Sequence, residues 1–519
     1  MHQQRTHIIS SPWQGWSPDL GWFQGPENRI VHGYGVRVQD GRLCAQDGAM
    51  GSQDLGQQVL AISPIYFESA YRALAVVDNT SGNVELWALP VATELWAKVS
   101  GAFTFQANGL PWNPPTVVEW YDDSLAAAYA VVCPGAAGGA GEELVYWNSA
   151  GGAARAHADC PNNPSAVCVH NGRLVVAEAE TLRWSLVGDG LSAGSWPAGN
   201  ISRPSSSGSL VKALWNTGEA FWAFTTHEAI LCYDATTPQS DVGIVVERRF
   251  PGFGVAVPSA VTGMGDQVFI CQPDGSLAVW TGGGWQRIET PADTFRQGYV
   301  GGSCALDYNP RSDCLWLATG QSGSYNNART RQLHCLNVAN GMWYAPMILR
   351  GGEDSNPAIS VGHASVTSGV DVEYYGMGNI DADTHGHIAR AVAERSYYAA
   401  NSTTTSRVYL PLLAFGDSLN RKTLDFVQII GEAQTDSGET ITVGAKGLDF
   451  PGDEIWDGKD PPTAGFTTAQ CDVTDGKRVN FTTPVSGRFI MLYLEWDDAT
   501  TVQIDSVVLW YTKGGESYA

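Results

Sequence analysis

At 519 residues, with 44% hydrophobic and only 16% charged side chains, the chain has enough apolar material for a large core without disulfide or metal staples, which excludes a disordered protein. Its net charge of −23, with no basic stripe, excludes tight gripping of nucleic-acid phosphates. The abundance of glycine (59) and tryptophan (19) points to short strands joined by tight turns.

The N-terminal segment Met1 to Trp16 lacks the apolar run of a secretory signal. The first 50 residues are rich in Trp, Gly and Pro, as at Trp13, Trp16, Trp22 and Pro26. They read as an extended arm that enters the first repeat at Val36–Val38 and Arg42–Cys44, and either closes the following domain or docks on a neighbour.

From there one pattern recurs: a strand-like run, a turn signal, then a short run ending in a large apolar residue. Ala73–Val77, the turn Asp78–Gly82 and Val84-Glu85-Leu86-Trp87 make the first copy. Later second runs are Leu144–Trp147, Thr181–Trp184, Ile230–Tyr233, Leu277–Trp280 and Leu333–Leu336. A weaker seventh copy is the turn Asp383–Gly386 leading into His387-Ile388-Ala389. The spacing of roughly 40–60 residues matches a four-stranded propeller blade. A blade cannot bury both faces alone, so copies must stack around an axis. The reading is all-β: a six- or seven-bladed β-propeller over residues 51–400.

The repeats stop near Arg395. A short helical pattern covers Ala389–Tyr398, and Asn401–Ser406 reads as a linker. Beyond it, runs such as Phe489–Leu494 and Val507–Tyr511, separated by Asp475-Gly476 and Ser486-Gly487, predict an independent C-terminal β-sandwich over residues 401–519. No apolar run reaches the roughly 18–20 residues a membrane span needs; Leu125–Cys133 is the longest candidate. The ten cysteines show no zinc-type spacing, and Cys232, Cys271 and Cys335 sit in apolar runs as small core residues of a reducing compartment.

Chemistry-bearing patterns are few. Asp381, Asp383, His385 and His387 alternate, which on a strand would place His385 and His387 on one face for a metal ion. The same run is the turn of the seventh repeat, and a ligand set needs a third partner placed in space. No G-x-S-x-G elbow or Walker loop is present, since Gly282-Gly283-Gly284 runs into Trp285. Adjacent carboxylates such as Asp122-Asp123 and Asp497-Asp498 would point to opposite faces of a strand. No catalytic, cofactor-binding or metal-ligating residue is assigned, and the chain is read as not an enzyme.

Several segments resemble the β-propeller tail proteins of tailed bacteriophages, a group that includes tail-nozzle, head-closure and minor tail proteins. The resemblance rests on Asp307-Tyr308-Asn309-Pro310 with Cys314–Ala318 and Leu336–Trp343, and on His170–Val176 with Leu182–Ser185. It extends to Gly25–Asn28 with Val36–Val38 and Gly41–Leu43, and to the closing Ile504–Tyr511. It implies a non-catalytic virion component of the tail (nozzle, collar or minor tail protein), assembled in the host bacterial cytoplasm. It further implies other phage tail proteins as partners, a homo-oligomer (hexamer or trimer), no cofactor and no membrane. Passive contact with translocating DNA would suit the acidic charge. The competing readings are a receptor- or glycan-binding tail protein, a carbohydrate-active propeller, and a cellular interaction propeller of the Trp-Asp type. Against the last, Trp456-Asp457 and Trp496-Asp497 fall outside the repeat ends.

Overall fold

The computed structural model describes residues 4–514, apart from 17–25, 46–49, 56–57, 80–82, 100–102, 105–113, 136–142, 235–242, 289–303, 319–331, 345–346, 349–357, 366–370, 378–386, 392–404, 434–439, 450–464 and 498–501 and the single positions 31, 35, 40, 94 and 474. The chain forms two compact units, one of residues 52–325 with 351–391, the other of residues 1–51, 326–350 and 392–519.

The first unit is a seven-bladed β-propeller. Its sheets follow one another along the chain as antiparallel meanders. Their first strands are Val59–Pro64, Thr116–Asp122, Ala166–His170, Ala213–Asn216, Val261–Met264, Ala305–Asn309 and Ala358–Ser365. Each of these lies against the first strand of the next sheet, and the last lies against the first, so the ring is closed. The seventh sheet runs Ala358–Ser365, Asp371–Met377, His387–Ala391 and then Met50–Asp54, an outer strand contributed from the N-terminal side of the propeller. Gln53 on that strand fastens it to the first blade: its amide donates to the Trp96 carbonyl at 2.8 Å and accepts the Trp96 N–H at 2.8 Å. This strand from the other end of the ring covers the edge of His387–Ala391 and ties the last blade to the start of the chain.

Local sequence explains the hairpins. His170 ends one strand and Arg173 begins the next, leaving Asn171 and Gly172 as a two-residue turn with φ of 46° and 68°. Positive φ at both positions is the turn whose twist matches its strands, and Asn-Gly is the pair that adopts it most readily. At the closing seam Gly362 is required by crowding: a Cβ there would lie 2.6 Å from the Ile62 carbonyl oxygen.

The repeat-ending residues fall on the third strands of their sheets and mostly pack between blades. Trp147, Trp184 and Trp280 are buried. Trp147 joins Leu74, Val76 and Ala130 in a core between the first two blades, and Trp184 joins Phe221 and Ile230 between the third and fourth. Tyr233 departs from the pattern and is 40% exposed. Alternation along this strand turns Ile230 and Cys232 inward and Tyr233 outward, and Phe221, opposite Cys232, supplies the bulk instead.

Asp78, at the end of the first blade's second strand, is 7% exposed, and its Oδ1 makes no hydrogen bond. Burial raises its carboxyl to about 6, above the value of about 3.9 in an unfolded chain. The folded state therefore holds this proton more tightly. The stabilisation is complete below about pH 4 and is lost as pH rises through about 6. Asp78→Asn, neutral at every pH, is expected to raise stability at pH 7.5 by roughly 1–3 kcal/mol and to flatten that part of the profile. Denaturant titrations at pH 4 and 7.5 check this, and an equal effect at both would contradict it.

The second unit is built on two antiparallel sheets. One has the order Val479–Gly487, Lys422–Ala433, Val502–Lys513, Arg42–Ala45, Val36–Gln39, with Gln4–Ser10 also paired to Val502–Lys513. The other runs His32–Tyr34, Thr405–Tyr409, Phe489–Asp497, Thr440–Leu448, Thr467–Asp472. Val479–Gly487 of the first packs on Thr440–Leu448 and Thr467–Asp472 of the second. In the same unit, Gln332–Asn337, which holds the sixth repeat's Leu333–Leu336, pairs with Met342–Trp343 and Met347–Ile348.

Two expectations are corrected here. Val36–Val38 and Arg42–Cys44 do not enter the first blade; they form a hairpin on Val502–Lys513. The C-terminal domain is not independent of the arm, because that long strand would otherwise expose one edge along its length. Gln4–Ser10 covers Ser506–Thr512, the hairpin covers Gln503 and Ile504, and Trp13, fully buried, sits between them with its indole N–H on the Asp505 carbonyl at 3.0 Å. The helical pattern at Ala389–Tyr398 begins inside the strand His387–Ala391, and its remainder lies outside the described residues. Residues 401–404 of the expected linker lie there too, while Thr405–Ser406 already belong to a strand. Among the described residues, no helix is long and apolar enough to cross a membrane.

Candidate functional site: the axial cavity of the propeller

The first strands of all seven blades enclose a cavity of about 610 Å³ on the propeller axis. Alternation along each inner strand turns every second side chain toward it. Most of the wall is apolar, as at Leu60, Val117, Val167, Leu214 and Val261.

Polar groups gather on one side, where the sixth and seventh blades meet the first. Asp307 comes from the sixth blade's inner strand, His363 from the seventh's, and Tyr66 from the chain just after the first blade's inner strand. His363 Nδ1 lies 2.6 Å from Asp307 Oδ2, and His363 Nε2 lies 3.2 Å from the Tyr66 hydroxyl. Glu119 Oε1 accepts the backbone N–H groups of Tyr66 and Phe67, which fixes that loop. Behind them, on the seventh blade's second strand, Glu373 is 1% exposed, with its carboxyl against that of Asp307 and beside the Asn309 side chain. One ligand atom each from Asp307, His363 and Glu373 lie within 4.8 Å of one another.

The two carboxyls are driven apart. Burial, then the charge of Asp307, pushes Glu373 well above the usual carboxylate range. Burial also pushes Asp307 up, but His363 outweighs it and holds Asp307 below that range. The result is an ionised Asp307 between His363 and an acid of raised pKa.

Three hydroxyls along the cavity are engaged by the backbone, while that of Thr116 is buried without a partner. Ser360 Oγ donates to the Val59 carbonyl at 2.6 Å, Ser259 Oγ donates to the Cys304 carbonyl at 2.5 Å, and Thr262 Oγ1 accepts the Tyr308 N–H at 3.1 Å. His363 faces a phenol, not a serine or cysteine. All ten cysteines are buried thiols outside any disulfide. Burial pushes Cys160, Cys232 and Cys471 up to about 12, so none supplies a thiolate at neutral pH. A thiol reagent such as dithionitrobenzoate is expected to give no fast reaction with the native protein and all ten equivalents after denaturation. Rapid labelling of a native thiol would contradict this.

Sequence reasoning did not single out Tyr66, His363 or Glu373, and met Asp307 only within the turn motif Asp307–Pro310. The available signal was a charged or titratable residue at an inward place of an apolar strand: His363 between Val361 and Ala364, and Glu373 between Val372 and Tyr374. Of the alternating run considered as metal ligands, Asp381, Asp383 and His385 lie outside the described residues, and His387 opens a strand whose side chain there is not described.

No protein-family model matches the chain, and no curated protein matches it in sequence. Among solved structures, it is similar to the crystal structure of Saccharomyces cerevisiae Sqt1, with 8% identity and a TM-score of 0.40 over 67% of this chain and 99% of that one.

Proposed function

We propose that this protein is a non-catalytic structural component of the tail of a tailed bacteriophage, at a nozzle, collar or minor-tail position, assembled as a homo-oligomer with other tail proteins. The observation that carries the reading is the way the chain fastens both of its units. The N-terminal segment completes the sheet that ends the chain and also supplies the outer strand of the seventh blade. A closed ring and a terminal sheet with a covered strand edge suit a part that stays in a particle and bears on its neighbours. The net charge of −23 would keep DNA from adhering if this chain borders its path. In particles of the phage that encodes this chain, purified on a density gradient, quantitative mass spectrometry is expected to find it at a fixed copy number per particle, a multiple of three or six. Its absence from particles, with abundance in the infected-cell lysate, would overturn the proposal.

One observation favours a second reading, glycan binding at a host surface. On the fourth and fifth blades, Phe253 and Trp285 stack with centroids 5.7 Å apart, both half-buried, and Arg248 lies 4.7 Å over the Phe250 ring. Half-exposed aromatic faces beside a guanidinium fit sugar rings. A glycan array probed with the full chain separates the readings, since saturable binding lost in Trp285→Ala would favour this one.

A further inference from the structure

We propose that Asp307, His363 and Glu373 form a binding site for one divalent transition-metal ion, Zn2+ or Mn2+, that pins the sixth blade to the seventh beside the closure of the ring. The inference is independent of the tail assignment.

Three observations lead to it. The three side chains come from Ala305–Asn309, Ala358–Ser365 and Asp371–Met377, and each places a ligand atom within 4.8 Å of the other two. That is the separation expected of atoms sharing one ion at about 2.0–2.3 Å. Glu373 is 1% exposed, and its carboxyl is crowded against that of Asp307, a pairing of two buried acids that costs free energy unless a proton or a cation lies between them. Asp307 and His363 line the axial cavity, which gives an ion a way in.

The donor set selects the ion. Two carboxylate oxygens and one imidazole nitrogen suit borderline ions such as Zn2+ and Mn2+ better than Ca2+, which takes six to eight oxygens. Two carboxylates also neutralise a double positive charge inside a mostly apolar wall. His363 would offer Nδ1, which now lies 2.6 Å from Asp307, while Nε2–H donates to the Tyr66 hydroxyl 3.2 Å away. Tyr66 thereby fixes the tautomer and the ring, the usual part of an outer partner. Its loop is held in turn by Glu119. An ion here would join strands of neighbouring blades that hydrogen bonds within each sheet do not join.

The competing account is an acid pair, with Glu373 protonated against Asp307 and no ion. The two separate in one experiment on the full chain. The protein is stripped with chelator, dialysed, and titrated with Mn2+ and with Zn2+ by calorimetry, with melting followed alongside. The expected result is one high-affinity ion per chain and a higher melting temperature with the ion. Glu373→Gln keeps the shape and the neutral charge of the protonated acid, and is expected to fold, as circular dichroism would verify. It should weaken binding by at least about tenfold, and Tyr66→Phe by a smaller factor. A variant carrying His385→Ala and His387→Ala should still take up its ion, which separates this site from the alternating run at 381–387. The proposal is overturned if the wild type takes up neither ion saturably, or if Glu373→Gln binds as the wild type does.

Discussion

Replacing Trp222 with alanine is expected to destabilise the propeller by about 3–5 kcal/mol, the range for deleting a buried aromatic side chain. Trp222 is fully buried in the fourth blade and is the hub of an aromatic group that reaches the fifth. Its ring centroid lies 5.0 Å from Trp280 and 5.2 Å from Trp285, both edge to face, with Phe250 at 5.6 Å and Phe224 at 6.0 Å. Removing the indole opens a cavity that four rings on four strands cannot fill without leaving their rotamers. The same indole N–H is buried with no hydrogen-bond partner. Trp222→Phe, which discards that N–H and keeps most of the ring, should therefore cost much less than Trp222→Ala. Guanidinium titrations followed by circular dichroism check both. A loss under about 1 kcal/mol for the alanine variant would show that the two blades do not depend on this contact.

Deleting Met1–Ser10 is expected to do comparable damage to the second unit by a different route. Gln4–Ser10 pairs residue for residue with Ser506–Thr512, from Gln4 opposite Thr512 to Ser10 opposite Ser506. Each backbone hydrogen bond contributes about 0.5–1.5 kcal/mol net, so losing the ladder costs several kcal/mol. The uncovered edge also carries Val507, Val508 and Leu509, an apolar strand with open donors and acceptors that would template association between chains. The truncated protein should show a lower melting temperature, loss of soluble yield, and loss of hydrogen-exchange protection along residues 506–512. A truncated chain as soluble and as stable as the full one would contradict the pairing.

These two cases also mark what the sequence could convey. The aromatic hub lies in the stretch where hairpin and repeat signals are strongest, and Trp280 was already legible as the end of a repeat. Its partner Trp222 was not, because it sits one strand earlier, in the all-apolar run Phe221–Phe224, where no position stands out. The arm was legible as an aromatic-rich segment but its partner was not. Thr6 faces Trp510 and Arg42 pairs with Asp505, and nothing local in either segment encodes a match across that length of chain. The seventh blade was faint for a related reason. Its signal was taken from the turn before His387, whereas its inner strands Ala358–Ser365 and Asp371–Met377 carry His363, Glu373 and Asp371, which break the apolar alternation. The residues that obscured the strands are in part those that make the cluster. Sequence showed Asp307, His363 and Glu373 as scattered polar positions, and closure of the ring brings them together.

The measurement that bears most directly on the account is electron microscopy of intact phage particles labelled with gold-conjugated antibody against this chain. The account predicts gold confined to the tail, at one level along its axis, on every particle. Label on the capsid, or none on particles while the lysate reacts strongly, would contradict it.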